Sequence, residues 1–353
     1  MKAIVKYAHG KGNYELRDVP EPSLGDEDVL IEVKAAGLCA SDLDFAEGRQ
    51  AGALHPPVIL GHEFAGVVAK VGKNVTKWKP GDPAVSDNTG TVCGECYACS
   101  TGNYLACPDR LGLGYGMDGG FTKYCRIPGN TLRVFPNALL RIPGGISFEE
   151  AAILDPACNA YRAVVHEARL IPGEHIAVFG VGALGQFAIQ SARAAGAAKI
   201  IAVGLAQDKD RFKLAEENGA TDFVMADDGD SIVKVRDLTG GEGPAAVVDC
   251  AGANIVLKQA IEMVRMSGVV VKVGYDIRPV DFSMDRIIER AVTIKGHFGY
   301  DWVAWKNIMN LVLAGKFSLK SVISHRMTIA DFDSALNLLR GKQAVKVILY
   351  PLD

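Results

Sequence analysis

The chain has 353 residues, more than one hydrophobic core ordinarily serves, so two domains are expected. With 49% apolar and 22% charged residues and a formal net charge of -3, it has a globular balance and no basic excess to suit nucleic acid or an anionic membrane. No apolar run nears the roughly 18 residues of a membrane span, and MKAIVKYAHGKG lacks a secretory apolar core, so the expected compartment is the cytoplasm.

The first 150 or so residues carry short β-type runs, DVLIEVKAAG and FAGVVAKVG among them, broken by Gly, Pro and Asp turns. This spacing predicts a mainly β domain. Within it, CGECYACSTGNYLAC places Cys93, Cys96, Cys99 and Cys107 in C-x-x-C-x-x-C with a fourth cysteine after seven more residues. In a reducing compartment such clustering favours metal ligands over disulfides, and four thiolates suit tetrahedral zinc. Gly94 and Gly102 allow the bends such a loop needs. A disulfide pair or a chance cluster is the alternative. With four thiolates bound, no position stays open for substrate, so chemistry is expected elsewhere.

From about Pro156 the texture changes to alternating strand and helix: HIAVFG, ALGQFAIQSARAAGA, KIIAVG, DRFKLAEENGA, DFVMA, AAVVDCAG, NIVLKQAIEMVRM and GVVVKVGY. Near-continuous apolar strands between amphipathic helices predict a doubly wound parallel sheet. GVVVKVGY reads either as an edge strand that pairs across subunits or as an interior strand. A helix WVAWKNIMNLVLAGK and a strand AVKVILYP follow, and the chain after about 295 is expected to return to the first domain.

Between HIAVF and its helix lies GVGALG, which puts Gly180, Gly182 and Gly185 in G-x-G-x-x-G with Val181, Ala183 and Leu184 between them. At a strand-to-helix turn inside βαβ units this is a dinucleotide-binding signature. Gly180 serves the turn, Gly182 the approach of the pyrophosphate, and Gly185 the helix–sheet packing. The acidic residue expected some 20 positions on is missing, and Gly204 stands there. Lys209 and Arg211 nearby suit a 2′-phosphate, whereas Asp208 could reach a ribose, so NAD and NADP both stay open.

The remaining candidate ligands are Cys39 in GLCASD, His62 and Glu63 in LGHEFAG, and Asp155 in AAILDPACNA. GHEFAGVVAKVGKNV resembles the signature of zinc-dependent medium-chain alcohol dehydrogenases, G-H-E-x-x-G, five residues, Gly, two residues, Val, here Gly61, His62, Glu63, Gly66, Gly72 and Val75. The resemblance extends over GLCASD, the cysteine lobe, DGGFTKYC, GVGALG and IKGHFG, essentially the whole chain. It implies a GroES-like catalytic domain over 1–154, a Rossmann domain over 155–294, and return of 295–353 to the first. It implies two zincs, one structural at the four cysteines and one catalytic. Cys39 and His62 match catalytic ligands, Glu63 matches the carboxylate that binds or approaches the metal, and Asp155 matches the third ligand position. Cys158, three residues on, is the other candidate for that position and reads better as a small buried apolar residue.

The resemblance further implies that zinc acidifies a substrate hydroxyl while a nicotinamide takes the hydride. Ser41 matches the hydroxyl relay, and Asp44 stands where many relatives carry a histidine. His297 and Phe298 fall where relatives line the nicotinamide pocket, and Gly274 is expected among the cofactor-binding residues. The carboxylate ligand and serine relay are similar to the sorbitol and xylitol branch, which points to a polyol or sugar-derived secondary alcohol. Asp155–Pro156 with Asn159–Ala160 is also similar to the threonine 3-dehydrogenase branch. A zinc- and nucleotide-binding protein without turnover is a third reading. The expected partners are a small alcohol and further copies of the chain, as a dimer or tetramer, with no nucleic acid or membrane.

Overall fold

The alternation in VLIEVKAAGL forms the ten-residue strand Val29–Leu38, buried along most of its length, and the rest of the first unit is arranged around it. In the computed structural model, which describes residues 1–49 and 51–353, this unit comprises Met1–Asp155 and Ile323–Asp353. Val29–Leu38 pairs antiparallel with Glu63–Val71 on one side and with Lys346–Tyr350 and Tyr124–Ile127 on the other. The seven-stranded sheet continues through Pro83–Ser86 to Leu139–Arg141 at one edge and ends at Ile323–Thr328 at the other. Phe64, Phe121, Leu60, Leu113 and Phe332 fill its core.

Register decides what gathers at one end of this sheet. Gly37 lies opposite Glu63, and Leu38 lies opposite Val347. Cys39, Glu63 with His62 before it, and Lys346 are thereby delivered to the same place. A Cβ on Gly37 would stand 2.2 Å from Glu63 Oε2, so a larger residue there would displace that carboxylate.

The second unit, Pro156–Val322, has a six-stranded, wholly parallel sheet. In space its strands run Asp222–Met225, Lys199–Gly204, His175–Phe179, Ala246–Asp249, Val269–Lys272, Thr293–Gly296. Numbered along the chain this is the order 3-2-1-4-5-6 of a dinucleotide-binding doubly wound sheet, with its switch point between His175–Phe179 and Ala246–Asp249. The helices Ala183–Ala194, Lys209–Asn218, Ser231–Leu238 and Asn254–Met263 follow the first four strands in turn.

Two expectations are refined. GVVVKVGY is an interior strand, and Thr293–Gly296 takes the edge beside it. The chain rejoins the first unit at Ile323, not 295, because Thr293–Gly296 is still needed to complete the parallel sheet and Trp302–Leu313 follows within the same unit. Among the described residues no helix is long and apolar enough to cross a membrane.

Candidate active site and metal centres

The four lobe cysteines bring their sulfurs within 4.8 Å of one another. Cys93 Sγ is 4.0 Å from Cys99 Sγ and 3.6 Å from Cys107 Sγ. Disulfide sulfurs would be about 2 Å apart, whereas a tetrahedron with Zn–S near 2.3 Å sets sulfurs about 3.8 Å apart. Gly94 and Gly102 do adopt left-handed backbones, φ +84 and +76, which closes the loop around the thiols. Backbone N–H groups of Glu95 and Cys96 lower the Cys93 thiol to about 7, while burial raises Cys99 to about 12. Four thiols at this spacing fit zinc and leave no vacant position.

The second constellation stands at the end of Val29–Leu38. Cys39 caps the helix Ala40–Ala46, and donor atoms of Cys39, His62 and Glu63 lie within 4.8 Å of one another. Ser41 Oγ is 3.4 Å from His62 Nε2. On the other side of the ring, Asp42 Oδ1 is 3.6 Å from Nδ1, and Asp42 Oδ2 accepts the Cys39 N–H at 2.9 Å. Burial works against a charged His62, but the charges of Asp42 and Cys39 outweigh it and hold the imidazole well above its ordinary pKa. A site that attracts positive charge this way, with thiol, imidazole and carboxylate donors, fits a zinc ion. A carboxylate behind a ligating imidazole is the usual device for fixing its ring and tautomer.

Two carboxylates flank the Cys39–His62 pair. Glu63 is fully buried and receives Lys346 Nζ at 2.7 Å, itself buried. Asp155 is buried and pushed up to about 7, first by burial and then by the Glu63 charge. It falls outside the three-donor group and accepts from Asn88 Nδ2 at 2.5 Å. Cys158 is wholly buried. Asp44 is engaged by Arg49, whose Nε donates to it at 2.8 Å.

Asp42, Lys346 and Asn88 escaped the sequence reading. For Asp42 a signal existed, an acidic residue three positions after the cap of a short helix. For Lys346 the signal was a lysine inside the apolar strand AVKVILY. Asn88 offered none.

In the second unit, Gly180 takes φ +88, and a Cβ on Gly185 would stand 1.7 Å from the Gly180 carbonyl. Gly182 begins the helix Ala183–Ala194, and the nearest atom to its missing Cβ is Arg211 Nη1 at 4.0 Å. The turn is therefore open at Gly182 and tight at its two neighbours. At Gly204 the space is taken by Phe212 and Val181, 3.0 and 3.2 Å from a notional Cβ. Asp208 turns back to accept the Leu205 N–H at 3.1 Å and stands 3.6 Å from Arg211, while Lys209 is exposed. Gly274 allows close passage of Gly252, whose nitrogen would be 2.3 Å from a Cβ.

The His297 side chain is 2% exposed, with both ring nitrogens engaged: Nδ1 with Glu167 Oε2 at 2.6 Å and Nε2 with Asn159 Oδ1 at 3.2 Å. Arg162 joins Glu167 at 3.3 Å and donates to the carbonyls of Phe298 and Tyr300. The network ties residues 297–300 to the segment Arg162–Glu167. Phe298 is 62% exposed.

Comparisons with known proteins agree with this geometry. Residues 25–137 match the model of the alcohol dehydrogenase GroES-like domain, and residues 183–314 that of the zinc-binding dehydrogenase domain. An uncharacterized zinc-type alcohol dehydrogenase-like protein of Escherichia coli, YdjL, is 41% identical over 99% of this chain and 98% of its own. A sorbitol dehydrogenase of Halalkalibacterium halodurans is 33% identical over the full length of both chains. An L-threonine 3-dehydrogenase of Bacillus licheniformis is 34% identical over 99% of both. Full-length relatives at this identity, together with two groups of candidate metal donors and an open glycine turn, place the chain in the zinc-dependent medium-chain alcohol dehydrogenase family.

Proposed function

We propose that this dehydrogenase oxidises a secondary hydroxyl of a polyol or sugar-derived alcohol and passes the hydride to NAD or NADP. The observation that carries the reading is the grouping of Cys39, His62 and Glu63, with Ser41 Oγ 3.4 Å from His62 Nε2. A zinc bound by Cys39, His62 and a carboxylate supplies a Lewis acid that acidifies the hydroxyl of a bound alcohol. Asp42 keeps the His62 ring turned, and Ser41 is the hydroxyl that relays the substrate proton, accepting it while its own passes on to water. The turn Gly180–Gly185 receives the cofactor pyrophosphate at Gly182. The four-cysteine zinc is structural. The free thiols suit a cytoplasmic enzyme, and a homo-oligomer, dimer or tetramer, is the proposed assembly.

The polyol assignment draws on the carboxylate at position 155, the serine relay and the sorbitol dehydrogenase relative. Threonine oxidation is the second reading, favoured by Asn159–Ala160 and the threonine 3-dehydrogenase relative. Reduced-nicotinamide formation separates them, using NAD and NADP with alditols, alditol phosphates and L-threonine. Turnover of one polyol stereoisomer, lost in Cys39→Ser, supports the proposal; turnover of L-threonine alone overturns its substrate.

A further inference from the structure

Asn88 has a left-handed backbone, φ +57, in the segment that leads from the strand Pro83–Ser86 into the four-cysteine lobe. Its N–H donates to Ser86 Oγ at 3.1 Å, and its carbonyl accepts from the Leu113 N–H and from Arg110 Nη2, each at 3.1 Å. With the backbone held at both ends, the side chain bridges two charged groups. Asn88 Oδ1 accepts from Arg110 Nη2 at 2.6 Å, and Nδ2 donates to Asp155 Oδ2 at 2.5 Å. A guanidinium only donates and an ionised carboxylate only accepts. The amide therefore has one orientation that satisfies both neighbours, oxygen toward Arg110 and nitrogen toward Asp155.

Arg110 belongs to the exit of the lobe. Its N–H donates to the Cys107 carbonyl at 3.1 Å, and its guanidinium lies over the Tyr115 ring, 5.4 Å from the centroid. Tyr115 in turn stands edge-on to His62, with centroids 6.2 Å apart. A continuous path of contacts thus leads from a ligand of the structural metal to a carboxylate beside the catalytic pair. The two carboxylates there differ in kind. Glu63 is met by the Lys346 cation, whereas Asp155 accepts a hydrogen bond from the Asn88 amide.

We propose that Asn88, aimed by Arg110, is the positioning residue that presets Asp155 as the third protein ligand beside Cys39 and His62, and that the four-cysteine lobe supports this ligand through Arg110. The inference rests on the reading of Cys39 and His62 as a zinc site. Partners that orient a metal ligand commonly change metal affinity 10–100-fold when removed.

The test uses the full-length protein loaded with zinc, or with cobalt as a spectroscopic substitute, and challenged with graded chelator. Asn88→Gly suits the site, because glycine takes the positive φ without strain and only the amide is lost. The expected result is a catalytic-site affinity about 10–100-fold weaker and altered cobalt absorption from that site, with the lobe metal and nucleotide binding retained. Arg110→Met should weaken the same metal, and the double variant should be no worse than Asn88→Gly, since both act through one contact. Two metals held at wild-type affinity in Asn88→Gly, or losses that simply add in the double variant, overturn the inference. A wild-type protein that binds only the lobe metal overturns the dehydrogenase reading beneath it. Retention of the lobe metal shows that each variant has folded; should Asn88→Gly lose it, Arg110→Met decides on the same criteria.

Discussion

Lys346 Nζ donates to Glu63 Oε1 at 2.7 Å, and the two side chains are 3% and 0% exposed. They are 283 positions apart in the chain, and the pairing of Lys346–Tyr350 with Val29–Leu38 is what joins them. The last strand therefore does more than close the sheet. It brings the counter-charge for a carboxylate that stands next to the ligand pair.

Removing one partner of such a pair leaves an uncompensated buried charge. Lys346→Met in metal-stripped protein is expected to lose about 3–5 kcal/mol of stability. Lys346→Met with Glu63→Leu should recover most of it. Urea unfolding of the three proteins checks this, and an unchanged midpoint in Lys346→Met would refute the pairing.

Asp42 stands 3.6 Å behind the His62 ring and acts through it. Asp42→Asn keeps the shape and removes the charge that holds the imidazole. Zinc affinity at the catalytic site, or kcat/KM, is expected to fall about 10–100-fold while the lobe zinc stays. Metal analysis after dialysis against chelator gives the result directly.

Gly182 and Gly185 are distinguished by what surrounds them. Gly182→Ala meets nothing closer than 4.0 Å, so its stability should stay within about 1 kcal/mol of wild type, the scale of an N-cap change. Its Cβ would face the approaching pyrophosphate, and nucleotide affinity should drop about tenfold or more. Fluorescence titration with NADH and NADPH, beside a thermal melt, tests both halves. Equal nucleotide affinity in Gly182→Ala would remove the turn from the cofactor site.

Asp87 is buried, accepts from the Thr89 N–H and hydroxyl at 2.9 and 2.7 Å, and is pushed up to about 6 by burial. An unfolded aspartate titrates near 3.9, so between about 4 and 6 the folded chain keeps a proton that the unfolded chain gives up. Stability supplied by Asp87 therefore falls as pH rises through that window and is level above it. In metal-stripped protein, the stability of Asp87→Asn relative to wild type should rise from pH 4.5 to pH 6.5. A constant difference would show that Asp87 titrates normally.

The sequence exposed those parts of the site whose residues lie close together. Cys93 to Cys107, His62 with Glu63, and Gly180 to Gly185 each fall within a short stretch whose spacing has a chemical reason. Strand and helix alternation likewise revealed the parallel sheet, since fully buried strands have to be apolar throughout. Hidden were the relations set by register. Lys346 reaches Glu63, and Asn88 reaches Asp155 across 67 positions, through sheet pairing and loop closure that leave no periodic trace. Gly204 shows the opposite difficulty. Its missing carboxylate leaves NAD and NADP both open, and Phe212 and Val181 stand 3.0 and 3.2 Å from a notional Cβ there. The tail divided later than expected because strand pairing of Thr293–Gly296, invisible to periodicity, kept it in the second unit.

A catalytic metal at Cys39 and His62 is tested most directly by zinc stoichiometry measured together with hydride transfer in wild type and Cys39→Ser. Two zincs per chain, falling to one in Cys39→Ser with loss of alcohol-dependent reduced-nicotinamide formation, is the predicted result. One zinc in both proteins, or undiminished turnover in Cys39→Ser, would contradict a catalytic metal at Cys39 and His62.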